Sequence, residues 1–151
     1  MKCRYNKCIY GGGEIEKGTE VQVGKGYYMH KECARYSKTI KKIVELYLAS
    51  VDSTVMPKAL YQVINKIVFD RKTDPEFLLF VLKGAIAEKI PIKAPYGLYY
   101  LVKDDEKIRK WKRSQAQKII SGIELAEKKK PTDYKYTPSP PLTLNSITEA
   151  L

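Results

Sequence analysis

The chain has 151 residues, enough for one ordinary domain or a small domain beside a minimal one, and its 44% hydrophobic content puts a packed core within reach. No apolar run approaches the roughly 20 residues of a membrane span, the start Met-Lys-Cys-Arg-Tyr-Asn has no apolar leader, and three cysteines are an odd number for a disulfide framework. Lysine and arginine number 28 against 17 acidic residues, a formal charge of +11 that points to a polyanionic partner: nucleic acid first, an anionic membrane or an acidic protein face after it.

Residues 1–36 are rich in glycine and tyrosine and carry no helical periodicity. Gly11-Gly12-Gly13 reads as a turn. Glu14-Ile15-Glu16 and Val21-Gln22-Val23 alternate as short strands do, with Lys17-Gly18 as the bend between them. So small a segment cannot bury enough apolar surface to fold alone, and it needs a staple. All three cysteines and the only histidine lie here, as the pairs Cys3/Cys8 and His30/Cys33. The layout is C-x4-C, 21 intervening residues, then H-x2-C. Close pairs of thiolate and imidazole suit tetrahedral zinc, because one turn supplies two ligands and the metal closes the loop between the pairs. The spacing predicts one structural Zn2+ on Cys3, Cys8, His30 and Cys33, contributing on the order of 10 kcal/mol to folding.

Cys3, Cys8, Lys17-Gly18, Gly24-Lys25-Gly26-Tyr27-Tyr28 and Met29-His30-Lys31-Glu32-Cys33 together resemble one finger of LIM type, or the related finger of poly(ADP-ribose) polymerases. Both families set C-x2-C before a hairpin and an aromatic residue shortly before H-x2-C, with a helix soon after. Here the first pair is C-x4-C, and there is no second finger of the kind a LIM domain has. The resemblance covers residues 1–36. It implies the same four ligands in a treble-clef-like or LIM-like knuckle, with Tyr27 or Tyr28 as the preceding aromatic. Its functional implication is divided: LIM fingers mostly bind proteins, whereas the polymerase fingers bind broken DNA.

From about Ser37 the pattern becomes helical. Ile40, Ile43, Val44, Tyr47 and Leu48 recur at helical spacing, and Asp52-Ser53-Thr54 ends the stripe. Pro57 suits the first turn of a second helix with Leu60, Val63, Ile64, Ile67 and Val68 inward. Thr73-Asp74-Pro75-Glu76 reads as a capping box, Thr73 as N-cap, opening a third helix over 77–88 that is apolar almost all round. Ile90 to Val102, with Pro95-Tyr96-Gly97 at the bend, reads as a β-hairpin. Asp104, Asp105 and Glu106 favour the start of a last helix running to about Lys128, with Ile108, Trp111, Ile119, Ile120 and Ile123 on one side. The proline-rich stretch after Lys130 has the chemistry of an extended or disordered tail.

The expected fold is therefore mainly α with a small β component. A zinc finger (1–36) precedes a helical domain (37–128) with one β-hairpin (90–102) and a tail (129–151). Three helices and a hairpin is also the winged-helix order, in which the third helix enters the major groove and the hairpin is the wing. The apolar surface of 77–82 fits a structural core helix instead. On the winged-helix reading, Lys93, Tyr96 and Tyr99 would face the nucleic-acid backbone.

Two basic groups stand out. Near the finger lie Lys2, Arg4, Lys7, Lys31, Arg35, Lys38, Lys41 and Lys42; in the last helix and just before it lie Lys103, Lys107, Arg109, Lys110, Lys112 and Arg113 around Trp111. Interleaved cations and a ring can engage phosphates while the ring stacks, or the ring can anchor the helix to the core. With Cys3, Cys8, His30 and Cys33 taken by zinc, no cysteine or histidine is left for nucleophilic catalysis. Asp70, Asp74, Asp104, Asp105 and Glu106 fit loop and helix-start roles, and Gly11-Gly12-Gly13 lacks the Walker lysine. The expectation is a non-catalytic, cytoplasmic (or nucleoid or nuclear) zinc-finger protein that binds DNA or RNA mainly through phosphates, away from any membrane. The alternative is a regulatory adaptor or inhibitor that docks on a nucleic-acid-processing complex through its finger and its tail (131–151).

Overall fold

In the computed structural model, which describes residues 1–128, the sheet forms later in the chain than the alternation predicts. Strands β1 (Glu20–Gly24) and β2 (Tyr27–His30) pair antiparallel, with Val21 opposite Met29 and Gln22 opposite Tyr28. The bend is at Lys25-Gly26, where Gly26 has φ +72°, a conformation glycine adopts without strain. Lys17-Gly18 does turn, closed by Thr19 N–H donating to the Glu16 carbonyl, but it does not join paired strands. Glu14 bridges to Lys2 instead.

Helix α1 (Lys31–Ser50) starts immediately after β2, well before Ser37. Its buried stripe runs Cys33, Ile40, Ile43, Val44 and Tyr47, with Tyr36 packed beside the core, so the helical period already includes a ligand cysteine. The 36/37 boundary between finger and helical domain thus falls inside one continuous helix. Pro57 opens α2 (Pro57–Asn65), which buries Leu60, Val63 and Ile64. A π-helical turn (Lys66–Asp70) continues it and buries Ile67 and Val68. Helix α3 (Pro75–Ala87) is central, burying Phe77, Leu78, Val81, Leu82 and Ala85.

Two expectations are corrected here. The N-cap of α3 is Asp74, whose carboxylate accepts from the Glu76 N–H at 2.7 Å, so Thr73 does not form a capping box. Pro75 occupies the first helical turn, and the Glu76 carboxylate points to Arg35 at 2.9 Å rather than back along the chain. The segment 90–102 is also not a β-hairpin. Pro95–Gly97 forms a 3-10 turn that runs into α4 (Leu98–Leu101). Leu98 and Leu101 are the buried positions, a spacing of three that fits a helical turn and not a strand. No wing is present in this segment.

Helix α5 spans Asp105–Lys128. Trp111 sits against Phe77 and Phe80, ring centroids 5.9 and 5.2 Å away, and so anchors α5 to the α3 side of the core. Ile108 packs against the same core, but Ile119, Ile120 and Ile123 are exposed, contrary to the single apolar side expected. Met1–Gln115 gather into one compact unit, and the described residues from Ala116 onward fall outside it. The expected tail lies outside the described residues. Among the described residues no helix is long and apolar enough to cross a membrane.

Tyr47 is the largest fully buried side chain, and its hydroxyl has no hydrogen-bond partner among the described residues. Burial, and then the Asp52 carboxylate, hold its pKa above the usual range. A buried donor without a partner bears its desolvation cost unrelieved. Tyr47→Phe is therefore expected to leave thermal stability unchanged or raise it by about 1 kcal/mol. A marked fall in the melting temperature of this variant would show that the hydroxyl has a stabilising partner.

Candidate metal centre

Four local devices bring Cys3, Cys8, His30 and Cys33 together. The Lys2–Glu14 bridge and the Arg4 N–H donated to the Tyr28 carbonyl at 3.0 Å bracket Cys3. A turn closed by Cys8 N–H on the Tyr5 carbonyl at 3.0 Å sets Cys8. Beyond it, Gly11 (φ +66°) and Gly12 (φ +81°) let the backbone curl around the Cys8 sulfur. His30 ends β2 and is the N-cap of α1, which puts Cys33 in the first turn.

The four donor atoms lie within 4.8 Å of one another. Cys8 Sγ is 3.5 Å from His30 Nδ1, Cys33 Sγ is 3.7 Å from the same nitrogen, and the two sulfurs are 3.8 Å apart. A tetrahedron with metal–sulfur bonds of about 2.3 Å has sulfur–sulfur edges of about 3.8 Å. The donors thus already have the spacing of a single coordination sphere and could hold one metal ion. Nothing about these contacts requires a disulfide, whose sulfurs would be about 2 Å apart.

The surroundings support ligation. His30 Nε2 is 3.4 Å from the Glu14 carbonyl. A proton on Nε2 donated to that oxygen leaves Nδ1 as the lone-pair nitrogen facing the sulfurs. This commits the His30 ring and explains why the α1 N-cap has no side-chain cap hydrogen bond. The Tyr10 ring covers the imidazole, centroids 4.6 Å apart. Burial pushes the Cys8 thiol up, but the N–H groups of Gly12 and Tyr10, and then Cys33, outweigh it and bring the thiol down to about 7. Cys33 is 0% exposed, and burial pushes its thiol up to about 12 against the lowering N–H of Ile9. The positive end of α1 is next to this group and favours negative sulfur.

The cations sort into those paired with a carboxylate and those simply exposed, Arg4 among the latter with its guanidinium 5.8 Å from the Tyr27 ring centroid. Arg35 faces Glu32 at 2.9 Å, Glu76 at 2.9 Å and Asp74 at 3.6 Å, an ion-pair cluster that ties α1 to the start of α3. Partial burial would lower the Arg35 pKa, but Glu76 and Glu32 more than compensate and raise it. Lys107 is 8% exposed and lies 3.9 Å from Glu88. These two charges are already paired with carboxylates of the fold. Lys110 pairs with Glu106 at 2.9 Å and Lys41 with Glu45 at 3.9 Å, both on exposed helix faces. Arg4, Lys7, Lys31, Lys38, Lys42, Lys93, Arg109, Lys112 and Arg113 are exposed.

One contact has no signal in the sequence. The Arg71 guanidinium lies 4.4 Å from the Tyr99 ring centroid, and Tyr99 stacks with Tyr96. The two partners of the cation–π contact are far apart in the chain and meet only because Arg71 follows the π-helical turn, which no spacing signals. Comparison with family models, with curated proteins and with solved structures finds no match to this chain.

Binding a metal ion requires the Cys33 proton to leave, so affinity rises with pH, and at least about one proton is released per ion near neutrality. Zinc titration calorimetry in buffers of different ionisation enthalpy counts these protons; zero release would exclude thiolate ligation by Cys33. Chelation, or Cys33→Ala, is expected to remove stoichiometric metal and lower the melting temperature by more than about 10 °C. Retention of one tightly held ion by Cys33→Ala would assign the ligands elsewhere.

Proposed function

We propose that this protein is a small zinc-knuckle module that binds DNA or RNA chiefly through phosphates and performs no catalysis. Zinc is the metal of choice, because three thiolates and one imidazole at tetrahedral spacing are a structural zinc set with no open position for a reactive water. The chain has no other cysteine or histidine to serve as nucleophile or base. A treble-clef-like or LIM-like description suits a hairpin that leads into a ligand-bearing helix start.

One observation carries the nucleic-acid reading. Lys31, Lys38 and Lys42 recur at i, i+7 and i+11 on the face of α1 opposite its buried stripe, starting beside the metal centre. Arg4 and Lys7 add exposed charge from the knuckle, within a chain of formal charge +11. Such a row follows a phosphate backbone without reading bases, and its binding depends on counterion release. A protein of this kind works in the cytoplasm, or in the nucleoid or nucleus.

A second reading has its own support. Ile9, Tyr10, Val23 and Tyr27 are exposed apolar residues of the knuckle, a surface that suits a protein partner. On this reading the module is an adaptor, and its tail (131–151), outside the described residues, adds contacts. A partner that copurifies after nuclease treatment supports the adaptor; one lost with the nucleic acid supports direct binding.

Affinity for nucleic acid is expected to fall steeply with salt. Replacing Lys31, Lys38 and Lys42 together by alanine should reduce the slope of log K against log salt by roughly 2–3. An unchanged slope would remove α1 from the interface, and salt-independent binding would overturn the phosphate mechanism.

A further inference from the structure

We propose that the face carrying Tyr96, Tyr99 and Tyr100 is a stacking platform for unpaired bases, so that the preferred nucleic acid is single-stranded. This rests on the nucleic-acid reading above and adds to it a second contact surface and a choice of strandedness.

The argument begins with exposure. Pro95–Gly97 and α4 form one short helical stretch in which Leu98 and Leu101 face the core. Tyr96, Tyr99 and Tyr100, at i, i+3 and i+4, share another side. Tyr96 is 63% exposed and Tyr100 77% exposed, so neither ring adds much to the core. Large rings left in solvent at neighbouring positions are unusual unless something covers them. The Tyr96 and Tyr99 rings are nearly parallel, 14° apart with centroids 6.1 Å apart. A flat base can continue such a stack, and the contact is sequence-tolerant because every base has a π-face.

The charge around the rings favours a polyanion over an apolar peptide. Arg71 lies over Tyr99, and Tyr96 forms one wall of a cleft of about 380 Å3 shared with Met56, Ala59, Val63, Lys66 and Pro95. That volume is within the range of about 300–1,000 Å3 typical of small-ligand clefts. Lys66 lines the cleft itself, and Lys93 is exposed just before its Ala94 wall. An aromatic surface with an apolar slot and cations at its edges fits bases on the exposed Tyr96 and Tyr100 rings, with Tyr99 backing Tyr96, and phosphates on Lys66, Arg71 and Lys93. A duplex keeps its base faces stacked inside and can offer this surface only phosphates.

The test is fluorescence anisotropy with labelled oligothymidylate of about 20 nucleotides and a blunt duplex of the same length. Wild type, Tyr96→Ala/Tyr100→Ala and Tyr96→Phe/Tyr100→Phe are compared at one salt concentration, with metal content and circular dichroism confirming that all three fold. The proposal expects wild type to favour the single strand by about ten-fold or more. It expects the alanine pair to lose about ten-fold on the single strand while keeping its duplex affinity, and the phenylalanine pair to retain both. Equal affinity for the two probes, or an alanine pair that binds the single strand like wild type, overturns the platform and leaves the α1 phosphate contacts standing. Alanine variants that keep the single strand but lose a copurifying protein assign the face to a peptide and also overturn it. A wild type that binds neither probe at low salt sinks the nucleic-acid reading itself.

Discussion

The convergence of Cys3, Cys8, His30 and Cys33 on one coordination-sized space is the constraint on which the rest of the structure depends. Two of these residues come from the segment before β1, in which Ile15 is the one buried hydrophobic side chain. The other two are the N-cap and first turn of the longest helix in the core unit. A metal at this position would therefore join the least self-sufficient part of the chain to the most. The aromatic contacts follow the same route: Phe69 in the π-helical turn is within ring-contact distance of Tyr5 from the knuckle and of Tyr36 from α1. Burial pushes the Tyr5 hydroxyl up to about 12, as expected for a ring that docks rather than projects.

Much of this was legible because it depends on local chemistry. The ligand pairs, the helical stripe of α1, Pro57 at the start of α2 and the apolar surface of α3 are all written at short range. Elsewhere a residue has two roles, or a partner distant in sequence. Leu98 and Leu101 lie in a run that reads as the second strand of a hairpin, although their spacing of three is that of a helical turn. Thr73 and Glu76 match a capping box, but Asp74 is the N-cap and Arg35 pairs with Glu76. Helix α1 starts earlier than its aliphatic stripe suggests, because Cys33 is a core position as well as a candidate ligand.

The basic residues show why net charge alone is a blunt guide. Arg35 and Lys107 belong to the same sequence clusters as Lys38 and Arg109, yet their partners are Glu32, Asp74, Glu76 and Glu88 within the fold. A charge that holds α1 against α3 is not available to a phosphate. What remains outward is a smaller set with a geometry, a row on one helix, and that geometry is more informative than the total of +11.

The continuity of α1 also governs how this chain can vary in length. Cys33 and Ile40 lie on the same rigid rod, and each residue of an α-helix turns its neighbours by about 100°. One residue inserted or deleted between them would swing the knuckle a quarter-turn or more about the core, so drift in length is barred there. The exposed turn at 16–19 is not part of a regular element and can absorb such changes. Among distant versions of this protein, the spacing from Cys33 to the core would stay fixed while the Cys8–His30 interval varied, and a search for its relatives should weight the two intervals accordingly.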